Sequence, residues 1–252
     1  MSFTPRILRF DSLASTNVEA ARRAAEGDSE GLCVVAAEQT SGRGRLGRQW
    51  LSPKGAGLYF SIILQPKLPQ SLWPLLTLMS AIAVHDALIE SCDLQTDIKW
   101  PNDVVAGDKK LCGILAETVD AMKRSAVVVG IGINLTEHSF PPELRDVATS
   151  VEGLLGKQVD YEQVLKSLVK NLSIRYQKLQ TNPFDLADEW CARSTYCNGK
   201  RIRVIDGNEP IEGTTKGLEA DGALIVELDS GDRRILRAAD IASVRPAEMV
   251  SK

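Results

Sequence analysis

Three arginines interleaved with three glycines, in the run Gly42–Trp50 (GRGRLGRQW), are the most chemically pointed feature of this 252-residue chain. Glycines let a backbone approach a bound group closely and adopt unusual dihedral angles. The guanidinium groups of Arg43, Arg45 and Arg48 offer planar, permanently charged forks that match phosphate or carboxylate. Each charge-assisted hydrogen bond contributes roughly 1.5–3 kcal/mol, so two or three would hold a phosphoanhydride and stabilise the charge that builds during its attack. Taken alone, the run is equally a solvated basic loop. Three further runs carry usable groups. In Lys99-Trp100-Pro101-Asn102-Asp103 a strand delivers Lys99 and Pro101 fixes the exit of the chain, so Asn102 and Asp103 project from the loop. Lys110-Leu111-Cys112-Gly113-Ile114-Leu115 opens the next strand with Lys110. Gly130-Ile131-Gly132-Ile133-Asn134 is a strand end whose small residues permit close approach of a ligand. By pattern alone these also describe a hairpin with charged ends and a buried strand.

Other motifs fail on context. Gly42-x-Gly44-x-x-Gly47 matches a dinucleotide fingerprint, but that motif needs a helix directly after it and an acid about 20 residues on. Here Ser52-Pro53-Lys54-Gly55 and then a strand follow. Gly27-Asp28-Ser29-Glu30-Gly31 has the spacing of a nucleophile elbow, yet it follows a helix and precedes a strand, the reverse of what an elbow requires. His85 and His138 have no zinc-type spacing and read as structural. No Walker A sequence is present, so any use of ATP needs another architecture.

These groups must be positioned by a mixture of helices and strands. Ile7–Phe10 is a short apolar start. Thr16-x-x-Glu19 has the form of a capping box for a helix Asn17–Glu26, stopped by Gly27. Leu32–Ala37, Leu58–Leu64, Thr96–Trp100, Leu111–Thr118 and Ala126–Asn134 read as strands, with loops at Gly42–Gly57 and Pro101–Lys110. Trp73–Ser91, Tyr161–Leu179 and Phe184–Ala192 read as helices, and Phe140-Pro141-Pro142 breaks the chain. From Lys200 the pattern changes to short strands between Asp-Gly and Ser-Gly turns, with Arg201–Ile205, Ala223–Leu228 and Arg233–Leu236 the clearest. This predicts a small β-barrel over 196–252, after a larger domain over 1–195.

Composition bounds the partners. A formal charge of −3 argues against a general nucleic-acid binder. No long uninterrupted apolar run and no secretory signal is evident, so neither a membrane nor export is expected, and a cytoplasmic protein is. Five cysteines without a C-x-x-C indicate no disulfide framework, and most are expected to be buried thiols.

Taken together, Ser15-Thr16-Asn17, Gln39, GRGRLGRQW, KWPND, KLCGIL and GIGIN occur in the order seen in biotin–protein ligases, and the trailing β-domain resembles that family's C-terminal domain. The resemblance implies an α+β fold similar to class II aminoacyl-tRNA synthetases, with a mixed or antiparallel sheet and a small SH3-like barrel. It implies condensation of biotin with ATP, with Mg²⁺, to biotinyl-adenylate, then transfer to a lysine of a carboxylase biotin carrier domain. By the same likeness Ser15, Thr16 and Gln39 hold the ureido head, and Asn17 and Gly113 belong to the biotin site. Arg43, Gly44 and Arg45 cover the biotin tail and α-phosphate, while Arg48, Trp50 and Asn134 lie at the nucleotide. Lys110 contacts the activated carboxylate and phosphate, Lys99 assists with phosphate charge, and Asn102 and Asp103 lie near the reacting centre. Asp103 is the candidate to position the acceptor amine or take its proton. The metal ligands stay unassigned. The Gly42–Trp50 loop is expected to be a mobile lid that excludes water. The resemblance also allows a homodimer. The short stretch before Ser15 leaves no room for the helix-turn-helix of repressor members, so no DNA-binding role is expected. Two other readings fit less well: a lipoate–protein ligase of the same fold, and a non-catalytic protein whose basic loop binds an acidic partner.

Overall fold

The computed structural model describes residues 3–120, 125–136, 140–206, 209–238 and 241–246. A seven-stranded sheet is built from β1 (Arg6–Phe10), β2 (Leu32–Ala36), β3 (Gly57–Leu64), β4 (Asp97–Lys99), β5 (Asp103–Ala106), β6 (Lys109–Val119) and β7 (Ala126–Asn134). Their order is β1-β2-β3-β7-β6-β5-β4. Only β1 and β2 pair in parallel, so the sheet is mixed, as expected. Strand β7 matches the sequence reading at both ends because its Val/Ile content suits a pleated, two-sided burial.

The helices are α1 (Thr16–Ala25), α2 (Leu75–Cys92), α3 (Val151–Leu155), α4 (Tyr161–Thr181) and α5 (Leu186–Cys191). Alternation along the strands sorts the two faces. Cys112, Ile114, Val129, Ile131 and Ile133 point into the main core with α2 and α4. Val128, Ala126, Val34 and Ile63 pack instead against Ala20 and Ala24 of α1. By length and composition α2 could cross a membrane, but two-thirds of its most apolar stretch is buried in the protein. A helix apolar around its circumference is here a core helix between sheet and α4.

The second sheet is antiparallel, ordered β11-β10-β9-β8-β12, from β8 (Asn198–Asp206), β9 (Glu209–Leu218), β10 (Leu224–Leu228), β11 (Arg233–Leu236) and β12 (Ile241–Pro246). It does not stand apart. Ile202, Val204, Leu224, Val226 and Val244 join Leu75, Leu78 and Trp100 in one apolar core. Trp100 is buried and donates its indole N–H to the Gly222 carbonyl at 3.0 Å.

Several expectations are corrected. The capping box does not form: α1 starts at Thr16, its cap residue Ser15 makes no side-chain cap bond, and Glu19 instead meets Arg22 and Arg23. Thr16 is drawn away by Gln39. The Pro101–Lys110 loop contains strand β5, and β9, β12 and α3 were not anticipated. Cys191 and Cys197 form a disulfide, because the turn after α5 returns the chain to β8 with the two Cα atoms 5.1 Å apart. Cys33, Cys92 and Cys112 are buried thiols, as expected. His85 is buried with Nδ1 2.9 Å from Thr96 Oγ1, a structural role, and His138 lies outside the described residues. The 27–31 run is a turn between α1 and β2.

Because one core spans both sheets, denaturant should unfold the chain in a single transition. Trp100→Ala should cost about 3–5 kcal/mol, read by urea denaturation with fluorescence and circular dichroism. Two resolved transitions in the wild-type protein, or a loss below 1 kcal/mol, would contradict a shared core.

Candidate active site

All fifteen side chains and glycines singled out in the sequence line one cavity of about 440 Å³: Ser15, Thr16, Asn17, Gln39, Arg43, Gly44, Arg45, Arg48, Trp50, Lys99, Asn102, Asp103, Lys110, Gly113 and Asn134. Strand pairing explains why. Lys99 pairs with Asp103, Asp103 with Gly113, and Gly113 with Gly132, so the four stand in a row across the sheet. Directly paired residues project to the same face. Here that face is the one beside α1, opposite the α2 core.

The glycines leave that face bare. A Cβ on Gly132 would lie 2.4 Å from Trp50 Nε1, and one on Gly113 would lie 2.9 Å from Trp50 Cζ3. A Cβ on Gly130 would lie 2.0 Å from Asn17 Oδ1. The floor therefore accepts the Trp50 indole and the Asn17 amide in direct contact with backbone. Trp50 Nε1 is buried without a hydrogen-bond partner, an unspent donor above this floor.

At one end lies a polar socket. Gln39 Oε1 accepts from Thr16 N at 2.8 Å and Thr16 Oγ1 at 3.1 Å, and Gln39 Nε2 donates to Ser52 Oγ at 2.7 Å. Asn17 Nδ2 donates to Leu115 O and to Glu117 Oε2, while Ser61 Oγ lies 2.6 Å from Asn17 Oδ1. These partners fix both amide orientations.

The other end is cationic. Lys110 Nζ lies 2.6 Å from Asp103 Oδ1 and 5.4 Å from the Trp50 ring centre. Arg45 donates to Asn102 Oδ1 at 3.1 Å and to the Ala238 carbonyl, in the connection between β11 and β12. Burial pulls the Arg45 guanidinium below its usual pKa, opposed by the charge of Asp103. Lys99 Nζ stands 5.7 Å over the Tyr196 ring. Asn134 Nδ2 donates to the carbonyls of Thr149 and Lys110, so part of its amide is spent on holding the β7 end. Cys112, between Lys110 and Gly113 in sequence, faces the opposite core, where burial pushes its thiol well above the usual value, so it is no nucleophile for this site.

The Gly42–Trp50 run forms a small hairpin over the cavity. Trp50 N donates to Gly42 O at 2.9 Å, Gly44 N to Arg48 O at 2.7 Å, and Arg43 bridges Gln49. Gly42 must be glycine, since a Cβ there would lie 2.2 Å from Trp50 O. Leu46 sits at the tip with φ of +54°, sixty per cent exposed. The sequence reading missed Ser52, Ser61 and Glu117 beneath the cavity, Ala238 after β11, and Val244 of β12. Those last two have no motif, and only the shared core brings them here.

Comparison with known proteins shows the family. The biotin/lipoate A/B protein ligase family matches residues 8–134, and the biotin protein ligase C terminal domain matches 199–242. The bifunctional ligase/repressor BirA of Bacillus subtilis is 37% identical over 238 residues, spanning 92% of this chain and 72% of its own. The biotin–[acetyl-CoA-carboxylase] ligase of Mycobacterium tuberculosis is 35% identical, spanning 92% and 86%. A biotin protein ligase from Aquifex aeolicus, solved with biotin and ATP, superposes with a TM-score of 0.84 at 30% identity, over 97% of this chain and all of that one. The α+β class II synthetase-like fold with an SH3-like C-terminal domain stands accordingly. The chain belongs to the biotin/lipoate A/B protein ligase family, among its biotin protein ligases, enzymes that form a carbon–nitrogen bond.

Proposed function

We propose that this chain joins biotin to ATP as biotinyl-5′-adenylate and then passes biotin to a lysine of a carboxylase biotin carrier domain. The observation that carries the reading is one cavity with a neutral hydrogen-bonding socket at one end and Arg45, Lys99 and Lys110 at the other. That polarity suits a ligand with an uncharged polar head, an apolar middle and an anionic end.

A carboxylate does not acylate an amine near neutral pH, so the first step must supply a leaving group. In that step a carboxylate oxygen of biotin attacks the α-phosphorus and pyrophosphate departs. In the second, the neutral acceptor amine attacks the acyl carbon and AMP departs. The first step brings two anions together, and preorganised cations lower its barrier most. Ser15, Thr16, Asn17 and Gln39 are suited to the ureido head, which needs both donors and acceptors. Gly113 and Gly132 give a bare floor for the ring and tail, which take the place the Trp50 indole occupies in the ligand-free protein. Arg43, Gly44, Arg45 and Lys110 are suited to the new acyl-phosphate, and Arg48, Lys99, Asn102 and Asn134 to the nucleotide. Asp103 and Asp108 are the acids of the lining. Asp103, beside Lys110, is the candidate to receive or orient the acceptor amine's proton once phosphate draws Lys110 away. Among the described residues no group of three His, Cys, Asp or Glu is gathered that could hold a metal. Magnesium would enter with the nucleotide and would neutralise phosphate charge, with Asp103 and Asp108 the carboxylates of the lining that could reach it.

The test is incubation with biotin, Mg·ATP and an apo carrier domain, read by mass spectrometry of the carrier lysine and by pyrophosphate release. Biotin on one lysine is expected, with pyrophosphate released even without the carrier. No pyrophosphate, or preferential attachment of lipoate, would overturn the assignment.

Arg45→Ala and Lys110→Ala should each lower biotinyl-adenylate formation by about 10²–10³-fold, the usual cost of losing one preorganised charge-stabilising donor. Rates within threefold of wild type would remove these residues from the first step. Gly132→Ala should push the Trp50 indole off its floor. Calorimetry should show weakened biotin and ATP binding with circular dichroism unchanged, and unaltered affinities would mean that Trp50 does not shape the site.

A further inference from the structure

Glu117 lies just outside the cavity lining, yet it touches two parts of the site that are distant in sequence. Its Oε1 is 2.9 Å from Arg43 Nη2, on the first strand of the Gly42–Trp50 hairpin. Its Oε2 accepts from Asn17 Nδ2 at 2.8 Å, in the socket. From Asn17 the connections continue. Ser61 Oγ lies 2.6 Å from Asn17 Oδ1 and 2.7 Å from Thr16 Oγ1. Thr16 donates to Gln39, and Gln39 to Ser52. Ser52 donates to the Trp50 carbonyl at 3.2 Å, and Trp50 N closes back on Gly42. The result is a ring of polar groups that enters the hairpin at Arg43, passes under the socket and re-enters the hairpin at Trp50.

We propose that Glu117 is a positioning residue that couples the socket to the hairpin, setting Arg43 and the hairpin base by the same carboxylate that orients the Asn17 amide. Neither side of that carboxylate is replaceable by packing. Asn17 lies directly on Gly130, where even a Cβ would not fit, so a displaced amide has no alternative seat on the floor. Asn17 Nδ2 faces two acceptors, Leu115 O and Glu117 Oε2, so turning the amide over would set oxygen against oxygen at both, while the Ser61 hydroxyl at Oδ1 can bond either end. Arg43 is half exposed, and the Glu117 charge is what selects one of its many rotamers. A ligand that occupies the socket and presses on Asn17 therefore acts on the hairpin through one side chain. This function for Glu117 in catalysis rests on the ligase reading above. Its effect on the hairpin does not.

The test uses the full chain with Glu117→Gln, Arg43→Gln and the double variant. Glu117→Gln can keep an oxygen for Asn17 but loses the charge facing Arg43. In the ligand-free protein, amide exchange at Gly44, Arg48 and Trp50 should speed roughly three- to fivefold in each single variant, the size expected of a partly exposed ion pair. The double variant should be no faster than either single one, since both remove the same link. Amides of β7 should keep their protection, which a general loosening would not allow. With biotin and Mg·ATP, Glu117→Gln should raise the biotin KM and the share of adenylate lost to water several-fold, with kcat for adenylation within twofold of wild type. Unchanged hairpin exchange, or a double effect equal to the product of the two single effects, would overturn the coupling. If the wild-type protein made no adenylate the ligase reading would fall, and the exchange measurements would still decide the coupling.

Discussion

A sheet face next to a helix normally covers itself with side chains, and the absence of three of them is the constraint on which this site depends. Gly113, Gly130 and Gly132 sit on β6 and β7, on the same face, in register with Asp103, Lys99 and Ser61. Each glycine weakens its strand, since it packs nothing and loses more freedom on folding. The compensation lies on the opposite face, where Ile114, Val129, Ile131 and Ile133 are all buried against α2. One face of the sheet thus supplies stability, while on the other the stretch beyond the α1 contact is kept bare. Moving the register by a single residue would exchange the faces and fill the cavity with isoleucine.

From that floor the remaining features follow in order. Only a backbone floor lets Trp50 lie flat against the sheet, and only then can the hairpin bring Arg43, Gly44 and Arg45 over the cavity. The second sheet and its β11–β12 connection close one side of it, through Val244 in the lining and the Ala238 carbonyl to Arg45. Trp100 joins the two sheets two residues before Asn102, so the element that delivers Lys99 and Asp103 is also anchored in the shared core. The groups of the site are consequently held by core packing, which limits how far they relax when a ligand's charges arrive. Preorganisation of this kind is what makes cationic groups effective in a desolvated cavity.

Much of this was legible in the sequence. The apolar run of β3, the Val/Ile run of β7 and the long apolar helix α2 announced themselves by period and length, and the four charged or glycine-rich runs pointed to a single site. What escaped depended on distance along the chain or on weak local signals. Strand β5 is four residues between turn formers, and β9 carries proline, glycine and charged residues that local propensity disfavours, so sheet pairing decides both. Thr16 and Glu19 have capping-box spacing, but tertiary partners, Gln39 for one and two arginines for the other, outcompete the cap. Glu117 looked like an ordinary polar residue on an alternating strand. Its importance arises only when folding brings Arg43 and Asn17 to its two oxygens. The Cys191–Cys197 bridge likewise depends on the turn that follows α5.

The central claim is that an acyl-adenylate displaces the Trp50 indole from the glycine floor and lies there with its polar head in the Thr16–Gln39 socket and its phosphate at Arg45 and Lys110. A crystal structure with a hydrolysis-resistant biotinyl-adenylate analogue tests this most directly. The account predicts the bicyclic head within hydrogen-bond distance of Thr16 and Gln39, the tail over Gly113 and Gly132, and the phosphate within reach of Lys110 and Arg45. An analogue bound with its phosphate away from both cations, or seated anywhere but on that floor, would contradict it.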